Sequence, residues 1–173
     1  MIDGREVNAV GTELWREGGR FHRDGGPAVI ERNGSEVWYQ HGAKHRDGGP
    51  AVVRADGYRA WYQDGELHRE GGPAVEYPNG DYEWWLDGEL HRDGGPALSR
   101  QWCVEWRLGG RLHSLIAPAR VTPGGNRSWY VFGKRVSEAH WLELVAGARR
   151  AMTVAEVEAV LGHKLTLVAE KRG

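Results

Sequence analysis

Six tryptophans recur on a near-fixed beat: Trp15, Trp38, Trp61, Trp84, Trp106 and Trp129, in steps of 23, 23, 23, 22 and 23 residues. A period in this range marks a tandem array of one supersecondary unit, in which each unit buries apolar surface only against its neighbours. Such arrays present long surfaces, so the expected role is binding and not catalysis.

Other residues keep the same beat. A glycine stands four residues after each tryptophan, at Gly19, Gly42, Gly65, Gly88, Gly110 and Gly133. A histidine stands seven after, at His22, His45, His68, His91 and His113, replaced by Val136 in the last unit. A Pro-Ala pair follows, from Pro27-Ala28 to Pro118-Ala119. Gly11, Gly34, Gly57, Gly80 and Gly125 stand four before the beat; only the shortened unit has Trp102 there, which predicts a shorter hairpin.

Each unit reads as a β-hairpin. Ala28 to Arg32 is β-prone, Asn33-Gly34 is a turn, and Ser35 to Gln40 returns. Asn-Gly between such runs is a strong hairpin signal, and the expected turn has both central residues at positive φ. His41-Gly42, Asp64-Gly65 and Asp87-Gly88 predict a second reversal. Arg-Asp-Gly-Gly-Pro then interrupts the strand, because proline donates nothing to a ladder.

The units share the pattern aromatic-x-x-Gly-x-x-His, as in Trp85-Leu86-Asp87-Gly88-Glu89-Leu90-His91. This pattern on its period resembles the MORN repeat over roughly residues 5–136. The continuation His-Arg-Asp-Gly-Gly-Pro-Ala departs from the MORN form and resembles a variant found in bacteriophage and bacterial proteins of unassigned function. The resemblance implies an all-β repeat array, a MORN-like single twisted sheet of tandem antiparallel β-hairpins, used for binding or scaffolding. Residues 1–136 would form six repeats, and 137–173 a small α-helical C-terminal cap with a short closing strand.

Composition suits a thin sheet. There are nine Trp but only two Phe and two Met, so wide rings must cover area that a thick aliphatic core would otherwise fill. The net charge of −1, with both signs interleaved, supplies no long-range field to steer nucleic acid or an anionic membrane. Cys103 is alone and forms no disulfide framework. The N-terminal residues lack the pattern of a secretory signal, and a cytoplasmic location is expected.

After Phe132-Gly133 the apolar period shifts towards 3.6. Ser137 is the expected cap of a helix carrying Trp141, Leu144, Val145 and Ala148 on one face. Thr153-Val154-Ala155-Glu156 reads as a capping box, and residues 165–168 as the closing strand.

Three chemical readings are set aside. Equivalent histidines lie two strands apart, about 9.5 Å, too far to share one zinc ion. His22 with Asp24 offers only two ligands, so the expected histidine role is to pin the Arg-Asp-Gly-Gly loop. His-Arg-Asp occurs three times and matches a kinase tripeptide, but nothing else of a kinase accompanies it. Asp-Gly-Gly has the wrong order and period for a calcium nonapeptide repeat. No catalytic residue, cofactor or metal is expected.

Alternation sends each beat tryptophan to one face and its successor to the other. The beat column is expected to be the buried core. The successor column is Arg16, Tyr39, Tyr62, Trp85, Arg107 and Tyr130. These residue types are enriched at binding hot spots, so the column either contacts a partner or simply covers a sheet face. The leading expectation is a non-enzymatic binding protein that engages a protein partner, a host macromolecular complex, through this column. The phage-like resemblance implies a host-takeover role, such as stoichiometric inhibition of a bacterial defence. The alternative is a structural or adaptor protein that self-associates into a homo-oligomer. Single-stranded nucleic acid ranks below both, because Glu13, Glu36, Glu83 and Glu105 lie beside the aromatics. No membrane partner is expected.

Overall fold

The computed structural model describes residues 4–151. Over these residues the chain is a row of antiparallel hairpins followed by one helix, α1 (Glu138–Ala151). Fourteen strands join in one sheet. Four further two-stranded ladders run alongside it, at residues 39–44, 62–67, 85–90 and 107–112. At ~4.8 Å per strand the main sheet is about 60 Å long.

Each unit contributes two hairpins, and the beat tryptophan is the hinge between them. Its N–H donates to the alanine of the Pro-Ala pair in the main sheet, as in Trp61 to Ala74 at 2.8 Å. Its C=O accepts from the histidine of the second hairpin, as in His68 to Trp61 at 3.1 Å. Ala28, Ala51, Ala74, Ala97 and Ala119 are all fully buried at this crossing, where a larger side chain has no room.

The first turn is built differently from the expectation. The Asn-Gly reversal closes with Gly34 N–H to Glu31 O (2.9 Å) and Glu31 N–H to Ser35 O (2.8 Å). Only Gly34 has positive φ, at 86°. This is a three-residue loop with glycine in the left-handed position, and Asn33 Oδ1 accepts the Ser35 N–H. The turn with two positive-φ residues is the second reversal, at His41-Gly42, Asp64-Gly65, Asp87-Gly88 and Phe132-Gly133. Where Trp102 replaces the turn glycine, Arg100 pairs directly with Cys103 across a two-residue link, the shortened hairpin the spacing predicts.

The core lies one residue before the beat, which corrects the expectation of a buried tryptophan column. Cross-strand pairing sets Val29, Val37, Val52, Ala60, Val75, Glu83, Leu98 and Glu105 in one continuous row. Val52, Ala60 and Val75 are buried, with Val37, Tyr58, Tyr62, Leu67, Tyr77 and Trp85 packed around them. The beat tryptophans are half-buried and stand outside this cluster.

Ser137 caps α1 as expected, its Oγ accepting the His140 N–H at 3.2 Å. Trp141 and Val145 are half-buried, and Trp141 Nε1–H donates to Ser114 O at 2.7 Å. Leu144 and Ala148 are exposed, so the helix rests on a narrower stripe than the one expected. The capping box at 153–156 and the strand at 165–168 lie outside the described residues.

Candidate functional site

The successor column occupies one register of the second hairpins. Its cross-strand partners are Phe21, Lys44, Leu67, Leu90, Leu112 and Arg135 for Arg16, Tyr39, Tyr62, Trp85, Arg107 and Tyr130 respectively. All six column residues are half-buried. Tyr39 packs on Phe21 with ring centroids 5.3 Å apart, and the Lys44 ammonium sits 4.9 Å from the Tyr62 ring centroid. Burial raises the pKa of Tyr39 and Tyr62 above the usual tyrosine value. The column therefore roofs the core and still offers part of each ring to solvent.

Its two arginines are ionic. Arg16 lies over Phe21 at 4.0 Å and pairs with Glu6 at 3.3 Å. Arg107 donates to buried Glu105 at 2.7 Å and to Gly110 O at 2.6 Å. Trp85 satisfies the equivalent acid in its own unit, its Nε1–H donating to buried Glu83 at 2.8 Å. Glu83 also receives Arg100 and the Tyr77 hydroxyl. Trp85 and Arg107 are thus two solutions to one local problem, a donor above a buried carboxylate.

The other face carries a second row, which the sequence reading passed over. The arginine after each of the first four histidines sits over the ring of the beat tryptophan of its own unit. The guanidinium carbon is 3.8, 3.8, 3.7 and 4.1 Å from the ring centroid for Arg23–Trp15, Arg46–Trp38, Arg69–Trp61 and Arg92–Trp84. The same guanidinium donates to the proline carbonyl four residues on, 2.9 Å for Arg69 to Pro73. The available signal is the pairing of His-Arg with Trp at a fixed offset in the first four units. Clefts of about 490 Å³ and 320 Å³ open between successive units here. One is lined by Arg46, Trp61, Tyr62 and Arg69, the other by Arg23, Trp38, Tyr39 and Arg46.

The histidines lock one unit to the next. Nδ1 of His22, His45, His68, His91 and His113 accepts the backbone N–H of His41, Asp64, Asp87, Gly109 and Phe132, at 3.1–3.3 Å. Nε2 of His22 and of His45 lies 3.3 Å from the Asp of its own Arg-Asp-Gly-Gly loop, and that of His91 3.7 Å from Asp93. The expected loop pin is within hydrogen-bond distance at His22 and His45, and the inter-unit lock is added to it.

At the first lock, Glu17, His22 and His41 bring ligand atoms within 4.8 Å of one another, a grouping the sequence spacing had not indicated. Tautomer chemistry argues against a metal. A neutral imidazole has one N–H and one lone pair. The lone pair on His22 Nδ1 is taken by the His41 amide, so Nε2 carries the hydrogen and points it at Glu17 and Asp24. Among the described residues no helix is long and apolar enough to cross a membrane.

Comparison with models of known families and with curated proteins gives no match for this chain.

Proposed function

We propose that this chain is a non-enzymatic, MORN-like repeat protein that binds a protein partner through Arg16, Tyr39, Tyr62, Trp85, Arg107 and Tyr130. The observation that carries this reading is the column itself. Six half-buried Arg, Tyr and Trp side chains stand at one register, and among the described residues no helix or second sheet is packed against the strands of Tyr39 and Tyr62. The one described helix packs against the strand Arg127–Val131, far from Tyr39 and Tyr62. At two strands per unit the column extends over about 48 Å, a length suited to a macromolecular partner. Rigid aromatic anchors with flanking arginines are the residue types that dominate binding energy.

The phage-type form of the repeat supports a host-takeover role in the bacterial cytoplasm, in which the array stoichiometrically blocks a defence or other host complex. A second reading, self-association, draws on the sheet ends. Strands Gly4–Val7 and Lys134–Val136 each have one strand neighbour among the described residues, leaving edges that could pair with another copy. Light scattering on the purified chain separates the two: a monomer that binds a partner supports the first, and a concentration-dependent homo-oligomer supports the second.

A further inference from the structure

The five histidine locks share one geometry but differ in what stands near the imidazole. His22 has Glu17 at 3.5 Å and Asp24 at 3.3 Å. His45 has Asp47 at 3.3 Å and Asp64 at 3.1 Å. His68 has Asp87 at 2.8 Å, and His91 has Asp93 at 3.7 Å. His113 has no carboxylate within ion-pairing distance among the described residues. The loop acid is replaced by Leu115, and the turn residue is Phe132. The Phe132 ring stacks on the imidazole at 4.2 Å and 18°.

The charged groups on elements packed near His113 do not compensate. Arg92 and Asp93 come from the preceding loop, Arg107 and Arg111 from its own hairpin, and Lys134 and Arg135 from the last hairpin. Four of these six are basic groups on the two hairpins. The helix adds Glu138 and Glu143 on exposed positions, the latter beside His140.

We propose that the joint between His113 and Phe132 is an acid-operated release, in which protonating His113 frees the Phe132-Gly133 turn from the preceding unit while the joints at His45 and His68 hold. The lock needs a lone pair on Nδ1. A proton there sets N–H against N–H and ends the bond. At His45 and His68 the carboxylates of Asp64 and Asp87 stand at the same Nδ1 and take the new N–H, so a bond between units survives. At His113 no carboxylate among the described residues stands at Nδ1 to take it. Burial already holds the His113 imidazole below its ordinary pKa. The unfolded or opened joint therefore binds the proton more readily, and its stability, full above about pH 6.5, falls as the pH drops below that value.

The consequence is local. The released turn also carries the Gly133 N–H to Leu112 O bond, and the next residue after His113, Ser114, holds both Tyr130 and Trp141 of α1. Acid would loosen the C-terminal end of the array and the last member of the aromatic column.

Amide hydrogen exchange on the full chain tests this. Protection factors, which correct for the pH dependence of intrinsic exchange, would be compared between about pH 7.5 and about pH 5, spanning the histidine range. Protection of Gly133 should fall about tenfold more than that of Gly65, its counterpart at the His45 joint, the effect of losing about one net hydrogen bond. Phe132→Asp, which installs the residue found at 64 and 87, should remove the difference. His113→Asn, whose Oδ1 accepts without titrating, should also remove it. A parallel change at Gly133 and Gly65, or a Phe132→Asp chain that still loses Gly133 protection in acid, would overturn the proposal.

Discussion

The guanidinium of Arg69 lies 3.7 Å from the centre of the Trp61 ring and donates to Pro73 O at 2.9 Å. One side chain thus covers the indole that the thin sheet leaves half-exposed and ties down the loop that follows. The arrangement also explains the Gly-Gly pair. A Cβ on Gly72 would sit 2.9 Å from the Arg69 guanidinium, and equivalent positions at Gly26, Gly49 and Gly95 would sit at 2.9, 3.1 and 2.8 Å.

Gly72→Ala should therefore cost about 1–3 kcal/mol, as overpacking does. The cost should shrink in an Arg69→Ala background, because the colliding group is gone. Urea denaturation of the two single variants and the double variant measures the coupling. Equal costs in both backgrounds would show that the glycine answers to something else.

Trp61→Ala should cost about 3 kcal/mol, combining lost packing with a stranded arginine. Trp129→Ala at the end of the array should cost less, because it has fewer neighbours and no stacked arginine. Chemical denaturation of each variant reads the ranking directly.

Tyr58 provides an alkaline signature. It packs edge-on to Tyr77 at 5.4 Å, and burial raises its pKa to about 12. A folded pKa above the unfolded value means that its stabilisation is full below about pH 10 and is lost as the pH rises towards 12. The melting temperature should fall over that window, and less so in Tyr58→Phe. Ultraviolet titration of tyrosinate should show one group lagging behind the rest.

Zinc should not stabilise the chain, because His22 Nδ1 accepts the His41 amide and leaves Nε2 protonated. The melting temperature should be the same in EDTA and in added zinc. A rise with zinc that disappears in His41→Ala would establish a metal site at Glu17, His22 and His41.

The beat of Trp15 to Trp129 made the repeat, the hairpins and the Ser137 cap legible, because turn residues and periodicity act locally. What it did not reveal was which column is the core. Alternation correctly separates Trp61 from Tyr62, but which face is deeper depends on what packs above each. Val52 and Val75 do so on the Tyr62 side, and Arg69 covers Trp61 on the other. The Asn33-Gly34 turn differs from its expected form for a related reason: Asn-Gly fits two loop lengths, and the register at Ser35 chooses between them. The grouping of His22 with Glu17 and His41 depends on contact between units, which spacing within one unit does not show.

The most direct measurement of partner binding uses Trp85→Arg. Arg107 already occupies this register above Glu105, and Glu83 accepts the Trp85 Nε1–H, so an arginine at 85 keeps a donor on that carboxylate while removing the central ring. Capture from bacterial lysate, quantified by mass spectrometry, would compare the original chain, Trp85→Arg, and Leu142→Glu on the exposed side of α1. With circular dichroism unchanged, one stoichiometric protein partner should be held by the original chain and by Leu142→Glu and lost with Trp85→Arg. A partner retained by Trp85→Arg and lost with Leu142→Glu would contradict the account and move recognition to the helix.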